Sequence, residues 1–158
     1  MPIPEFDERG LLPPGVHDCS LDEIGARFGT FRGSDRRPRL FGKLEQYVLE
    51  TQQTGLVVAL VINGSFVTAT PQPNDIDLIV LLQPGHDFSA ELRPFEYNVL
   101  SSRWARKRYG LDVMVATEGS AAAERYYRLF RRVRGRPDAS KGLLRLELPA
   151  PRAPTRAS

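Results

Sequence analysis

The sequence predicts an α/β protein of the α+β type, in which a small mixed β-sheet of about four or five strands carries helices mainly on one face. A continuous apolar run at 56–62 and a second run at 76–82, interrupted only by Asp77, have the length and composition of strands that are buried on both faces. A third apolar run, at 111–116, adds another strand. Around these runs, apolar residues recur at helical spacing, so the sheet is expected to be covered by helices.

Four segments have this helical pattern. Ser20 and Glu23 form a capping-box pattern, which predicts a helix start at this point. The other ends are marked by prolines, which suit a first turn, and by glycines, which suit the residue after the last turn. The predicted helices are a two-turn helix after Ser20, a long helix from about Pro38 to Thr54, most of 87–109, and a final helix after Ser120.

The length of the chain allows one domain with a hydrophobic core and is short for two. Residues 1–19 are rich in proline, and we expect them to lie as an extended N-terminal arm. Residues 20–148 are expected to form the single domain, in which the segment 141–148 adds either a short edge strand or a packed extended segment. Residues 149–158 have the composition of a disordered tail.

Several classes of protein are excluded by composition. No apolar run approaches the roughly 20 residues that a membrane helix needs, and the N-terminus lacks the basic and apolar regions of a signal peptide. The single cysteine, Cys19, excludes an internal disulfide framework and a multi-cysteine metal site. We therefore expect a cytoplasmic protein that has no membrane partner.

The net charge of +3 is unevenly distributed along the chain. Residues 121–158 contain ten Lys or Arg residues and three Asp or Glu residues, and the preceding part is net acidic. A basic C-terminal part can face RNA, an acidic protein partner or the phosphates of a nucleotide. A solvated basic helix face is the alternative interpretation.

Three aspartates interrupt strands that are otherwise apolar. Asp75 and Asp77 are assigned to one strand, where residues two apart point to the same face, and Asp112 lies on another. A buried carboxylate is costly unless a partner or a metal neutralises its charge. If the two strands are neighbours, the three carboxylates converge at one edge of the sheet. Two Mg²⁺ ions about 4 Å apart would neutralise them and hold a triphosphate for in-line attack.

Gly64 and Ser65 follow the first apolar run and supply the phosphate half of the predicted site. Gly64 permits a close backbone approach, and Ser65 offers a hydroxyl and an N–H group that can donate to phosphate oxygens. An Asn-Gly pair between two apolar runs is also a common hairpin turn. In combination with the three aspartates, the pair predicts a metal-dependent nucleotide-binding site.

The pattern Gly64-Ser65, followed after nine residues by Asp75-x-Asp77, resembles the signature of the DNA polymerase beta-like nucleotidyltransferase superfamily. In that superfamily Gly-Ser ends a strand, the Asp-x-Asp pair lies on the next strand, and a third acid lies on a later strand, where Asp112 matches. The resemblance covers about residues 40–116 and is closest to the small members called minimal nucleotidyltransferases. The whole chain also resembles a little-characterised bacterial family with a PNDIDL motif, and this second likeness implies no activity.

The first resemblance implies a nucleotidyltransferase-like fold and the transfer of a nucleoside monophosphate from a nucleoside triphosphate, with ATP as the expected donor. The acceptor would be a hydroxyl of a macromolecule, either a protein or a tRNA. By position, Gly64 and Ser65 would bind the triphosphate, Asp75 and Asp77 would bind Mg²⁺, and Asp112 would assist metal binding and deprotonate the acceptor. Some members are antitoxins and others are toxins, so a toxin–antitoxin or defence setting is also implied.

Two other interpretations stay open. The loop 66–74 contains two prolines and lacks the Gly-Arg type residues that follow Gly-Ser in many active members. The chain could therefore be a catalytically inactive protein on the same fold, such as an antitoxin that acts by direct contact through its basic C-terminal part. An RNA-binding module that uses this part alone is the third interpretation. Because the chain has little room for an acceptor-binding domain, a partner or an oligomer could complete the site.

Overall fold

A five-stranded mixed sheet organises the protein, and the computed structural model describes residues 3–85, 91–133 and 135–149. The described strands are β1 (Val16–Cys19), β2 (Val57–Asn63), β3 (Asp77–Leu82), β4 (Asp112–Thr117), β5 (Arg132–Val133), β6 (Arg136–Ser140) and β7 (Leu143–Glu147). Five of them form the sheet in the order β1-β7-β2-β3-β4, and β5 and β6 form a separate pair. β1 is parallel to β7 and β3 is parallel to β4, whereas β2 is antiparallel to both β7 and β3.

Five helices in the described part cover the two faces of this sheet unequally. They are α1 (Leu21–Phe28), α2 (Arg36–Thr54), α3 (Pro94–Leu100), α4 (Ser102–Tyr109) and α5 (Ala121–Arg131). The buried side chains of α1, α2, α3 and α4 share one core with one face of the sheet, and those of α5 pack on the other face. The prediction of a mixed α/β fold with helices mainly on one face is confirmed.

The continuous apolar runs are explained by burial on both faces. In β2, Leu60 and Ile62 belong to the larger core, while Ala59 and Val61 belong to the core beneath α5. All four side chains are fully buried. Successive residues of a strand point to opposite faces, so a strand covered on both sides needs apolar residues at every position.

The local signals for helix ends are confirmed at most positions. The Ser20 Oγ atom accepts from Glu23 N, and Glu23 Oε1 accepts from Ser20 N, both at 3.1 Å. The long helix begins at Arg36, two residues earlier than predicted, and ends before Gly55. The segment 87–109, predicted as mostly helical, contains α3, which begins at Pro94, and α4. The two helices are separate because Ser101 adopts an extended backbone and caps α4. Residues 86–90 lie outside the described part.

Two predictions about the chain ends need correction. The segment 141–148 does not form an edge strand, because β7 lies between β1 and β2 with Leu143, Leu144 and Leu146 buried. The N-terminal segment, predicted as an irregular arm, supplies edge strand β1 and buries Leu12 in the core. Of the predicted disordered tail, residues 150–158 lie outside the described part. No helix in the described ranges is long and apolar enough to span a membrane.

Candidate functional site

The register of two parallel strands brings the predicted carboxylates together. Asp77 is the first residue of β3, Asp112 is the first residue of β4, and the two are directly paired. Asp75 lies two residues before β3, so the prediction that it belongs to the strand is wrong. The three carboxylates were expected to converge if their strands are neighbours, and β3 and β4 are neighbours in the sheet. The three aspartates therefore meet at the edge of the sheet where β3 and β4 begin.

The turn between β2 and the loop 66–74 is tight because it begins with a glycine, Gly64. Gly64 has a φ of 101°, and a Cβ atom built there would lie 2.9 Å from the backbone oxygen of Asp75 and 3.2 Å from the amide nitrogen of Asp77. The chain then continues into a short 3₁₀ turn, Ser65–Val67, rather than into the two-residue hairpin that is the alternative for this pair. Gly64 thus lets the turn lie directly against the backbone that carries two of the aspartates.

Replacing Gly64 with Ala is expected to destabilise the fold by about 2–3 kcal/mol. The positive φ is strained for any L-residue, and backbone atoms on the neighbouring segment cannot move aside for the new methyl group. Urea denaturation measures the change. Gly42→Ala is the matched control: it lies within α2 with open space at its Cβ position, and alanine there should stabilise by about 0.5–1 kcal/mol. Equal stability of the two variants would contradict the close-approach role of Gly64.

Ser65 binds Asp75 rather than presenting free donors. Its amide N–H donates to Asp75 Oδ1 at 2.9 Å, and its hydroxyl donates to the same oxygen at 2.6 Å. The Ser65 hydroxyl oxygen accepts in turn from the amide of Asn74 at 2.8 Å. These bonds close the loop 66–74 on itself and fix the Asp75 carboxylate. The N–H and hydroxyl that the sequence assigned to phosphate are therefore engaged with Asp75 in this structure.

The charges in the cluster are not balanced at Asp77. Partial burial, followed by the nearby Asp75 and Asp112 carboxylates, raises the pKa of Asp77 to about 6. Lys141, in the loop before β7, opposes this shift. Asp112 differs from Asp77 because its Oδ1 atom accepts from the exposed Arg106 guanidinium of α4. In the cluster, Asp112 thus has an arginine partner and Asp75 has a serine partner, and Asp77 is close to both carboxylates.

Two cavities share Asp77 in their lining. One, of about 420 Å³, is lined by the Gly64–Ser65 turn, by Asp75 and by two cations, Arg9 and Lys141. The second, of about 460 Å³, is lined by Asp112 and by residues of β2, β4, α4 and α5. Asp77 lines both. We call the first the cationic cavity and the second the helical cavity. This arrangement allows two ligands to meet at the carboxylates.

Lys141 and Arg9 are site residues that the sequence did not reveal. Burial lowers the pKa of Lys141, and its ammonium group forms no hydrogen bond or close ion pair with a described residue. Arg9, from the N-terminal segment, donates to Asp7 Oδ2 at 2.9 Å and to the backbone oxygen of Ser140 at 3.4 Å. Both reach the cavity through tertiary contacts between distant segments. Nothing in their local sequence distinguishes them from surface residues.

Arg37 was also missed, and it fixes the loop of the site. An arginine that lies near Arg36 and Arg39 at a helix start carries no local sign of burial, but Arg37 is only 2% exposed. Its guanidinium donates to the backbone oxygens of Phe66 and Thr70, at 2.7 and 2.6 Å. Two further carbonyl acceptors are Phe28 and Thr68. One buried side chain thus holds the segment that follows Ser65.

The donor set fits a divalent cation only in part. Among the described residues, no group of three or more His, Cys, Asp or Glu side chains is arranged to hold a metal ion. One oxygen each of Asp75 and Asp112 is already engaged, with Ser65 and with Arg106. The unbalanced charge around Asp77 nevertheless suits Mg²⁺, which prefers carboxylate oxygens. Asp75 and Asp77 are therefore the residues that would hold the ion, and Asp112 would join them on leaving Arg106.

The fold and the site define a mixed α/β domain with a carboxylate cluster where two parallel strands begin and two cavities that the cluster lines. The chain belongs to DUF6932, a family of unknown function, whose model matches residues 4–147. No curated protein and no solved structure matches the chain. The family carries no assigned activity, so the chemistry of the site is the basis for a function.

Proposed function

We propose that the protein is a Mg²⁺-dependent nucleotidyltransferase of the cytoplasm, which transfers a nucleoside monophosphate from a nucleoside triphosphate to a hydroxyl of a macromolecule. The observation that carries this proposal is the pairing of Asp77 with Asp112 beside the Gly64–Ser65 turn. Carboxylates that converge next to a tight turn and a cationic cavity have the elements that phosphoryl transfer needs. ATP is the expected donor, and a toxin–antitoxin or defence role is the expected setting.

The cationic cavity is the proposed triphosphate site. Lys141 and Arg9 line it and would attract the β- and γ-phosphates, and the Gly64–Ser65 turn forms part of its wall. Ser65 would give its donors to phosphate when Asp75 turns from it toward a cation. Mg²⁺, when bound by Asp75 and Asp77, would neutralise the charge that develops on the transferring phosphoryl group.

The helical cavity would then admit the acceptor, because both Asp112 and Asp77 line it. The acceptor hydroxyl oxygen forms a bond to the α-phosphorus, and the bond from that phosphorus to the bridging oxygen of pyrophosphate breaks. The hydroxyl proton passes to the Asp112 carboxylate. Arg106, which pairs with Asp112, would move away to release this base.

Thermal shift and label transfer test the proposal together. With Mg²⁺, ATP should raise the melting temperature of the purified protein, and either component alone should raise it less. Incubation with Mg²⁺, labelled ATP and a lysate should place label in a macromolecule. Lys141→Met should reduce the ATP shift, whereas Lys43→Met, an exposed lysine outside this cavity, should not. Absence of any Mg²⁺-dependent shift with every nucleoside triphosphate would contradict the proposal.

A contact-only binding protein is the second candidate function. It is favoured by the hydrogen bonds that Asp75 and Asp112 already accept, from Ser65 and from Arg106 respectively, because these bonds occupy one oxygen of each carboxylate. Such a protein should keep its partner when Asp75 and Asp77 both become Asn. Its partner should be lost when Arg125 and Arg128, on the exposed side of α5, become Gln. These point substitutions replace truncation, since removing the C-terminal part would take β7 out of the sheet.

A further inference from the structure

Another cavity, of about 290 Å³, lies at the end of α5 and is lined by three arginines. Arg128 and Arg131 belong to the last turn of α5, and Arg132 is the first residue of β5. Ala139 and Ser140 of β6 also line it. We call this the arginine cavity. Its volume lies just below the range typical of sites for drug-sized ligands, so it suits a compact ligand.

The three arginines of this cavity have no acidic partner in the described part of the chain. Glu124 and Asp138, the acids of α5 and β6, do not line the cavity, and the three guanidinium groups form no ion pair with a described residue. Like charges one turn apart on a helix repel each other, so a bound anion would stabilise this cluster. Other described arginines do form ion pairs with a carboxylate: Arg9, Arg39, Arg93, Arg106, Arg108 and Arg145.

The helix dipole explains only part of this cluster. Cations in the last turn of a helix complement its dipole, which is equivalent to roughly half a negative charge at the C-terminus. Arg128 and Arg131 are in that position. Arg132 lies beyond the helix, in β5, and the charges of the three guanidinium groups together exceed that of the dipole. The arginine cavity therefore keeps a net positive charge when the dipole is included.

We propose that the arginine cavity is a second anion site, which binds the diphosphate group of a small molecule. A guanidinium group donates to two phosphate oxygens at once, in a fixed geometry. A diphosphate has terminal oxygens on both phosphorus atoms, so three guanidinium groups need not compete for the oxygens of one phosphate. The hydroxyl of Ser140 can donate to a further oxygen. A compact, strongly charged anion thus matches both the volume and the donors of the cavity.

The arginine cavity adjoins the cationic cavity through one short segment of backbone. The backbone oxygen of Arg131 accepts from the amide of Lys141 at 2.9 Å, and Arg132 pairs with Ser140 between β5 and β6. The backbone oxygen of Ser140 accepts in turn from the Arg9 guanidinium at 3.4 Å. Pyrophosphate, the product of the proposed transfer, would therefore be released beside the second site. This source of the ligand rests on the proposed function, whereas the anion site itself does not.

Calorimetric titration with inorganic pyrophosphate, in buffer without divalent cations, tests the proposal. The wild-type protein should bind two pyrophosphate ions, one in each of the adjoining cavities. The double variant Arg128→Gln/Arg132→Gln should lose one of them and keep the other. Lys141→Met should show the opposite loss and keep the ion in the arginine cavity. The single variant Arg132→Gln should weaken that ion by about tenfold, the effect of losing its charged hydrogen bonds.

Controls separate a built site from general attraction between charges. Arg125→Gln removes an exposed arginine of α5 that does not line the cavity, and it should change pyrophosphate binding by about twofold or less. In Lys141→Met, inorganic phosphate should bind about tenfold or more weakly than pyrophosphate. ADP and AMP, titrated into the same variant, determine whether a free or a nucleotide-linked diphosphate is preferred. Melting temperatures without ligand show that the variants are folded.

The outcomes distinguish this inference from the proposed function. If one pyrophosphate binds, is lost in Arg128→Gln/Arg132→Gln and is kept in Lys141→Met, the second site stands and the proposed triphosphate site fails. The reverse pattern overturns the second site and leaves the triphosphate site standing. Absence of any binding, or an equal loss in Arg125→Gln and Arg132→Gln, overturns the second site. It is also overturned if a single-stranded RNA without terminal phosphates binds these arginines more tightly than pyrophosphate, because they are then a nucleic-acid surface.

Discussion

Asp77→Asn should abolish nucleotide transfer and, at pH 8, make the fold more stable. Transfer should fall by about 1,000-fold or more, because an amide cannot neutralise a cation as a carboxylate does. Stability should rise because Asp77 carries a charge that is partly buried and lies near the carboxylates of Asp75 and Asp112. A neutral side chain of nearly the same shape removes that cost. Loss of activity with a gain of stability is the signature of a functional site that carries strain.

The gain in stability should depend on pH in a defined direction. The pKa of Asp77 in the folded protein is about 6, against an ordinary value of 3.8. Between these values the folded protein keeps a proton that the unfolded chain has released, so the wild-type stability falls as pH rises through the window. Above pH 6 the full cost is present. The melting temperature of Asp77→Asn should therefore exceed that of the wild type by a few degrees at pH 8 and by less at pH 4.5.

The controls for Asp77→Asn use the same chemical change elsewhere. Asp22→Asn, at an exposed position in the first turn of α1, should leave transfer unchanged and should not raise the melting temperature at pH 8. Adding Mg²⁺ should stabilise the wild-type protein and have little effect on Asp77→Asn. Full transfer activity in Asp77→Asn, or a melting-temperature difference that is independent of pH, would contradict the proposed role of this carboxylate.

Arg37→Met should lower the free energy of unfolding by about 3–5 kcal/mol. The guanidinium is almost completely buried and donates to four backbone oxygens, which would lose their donors together. Three of these oxygens belong to the segment 66–70 that follows Ser65. The variant should therefore also loosen the loop that lines the cationic cavity. Urea denaturation measures the stability, and the rate of limited proteolysis within 66–74 measures the loop.

Arg39→Met is the matched control for Arg37→Met. Arg39 lies on the same helix, but its side chain is exposed and pairs only with the exposed Asp35 among the described residues. Its loss should cost less than about 1 kcal/mol. Arg37→Lys should fall between the two, since an ammonium keeps the charge and offers fewer donors in a less extended arrangement. If Arg37→Met lay within about 1 kcal/mol of the wild type, the guanidinium would not be what holds the loop.

The strands and most helix ends could be predicted from the sequence because their signals are local. The run over 56–62 is apolar at every position, and only a strand covered on both faces needs that pattern. Ser20 and Glu23 satisfy each other within one turn, so the capping box is complete without the rest of the fold. The carboxylates could be proposed as a group for a related reason: each aspartate interrupts or adjoins a strand that is otherwise apolar.

Only the tertiary structure decided what depends on contacts between distant segments. The pairing of Asp77 with Asp112 requires β4 to lie beside β3, and no local pattern determines that order. The interior position of β7 and the burial of Arg37 have no local sequence signal either. A short apolar strand has the same pattern at the edge and in the middle of a sheet, and an arginine at a helix start has the same pattern whether it is exposed or buried. Lys141 and Arg9 reach one cavity from opposite ends of the chain. The sequence alone thus determined which chemical groups are present, and the packing of the sheet decided which of them meet.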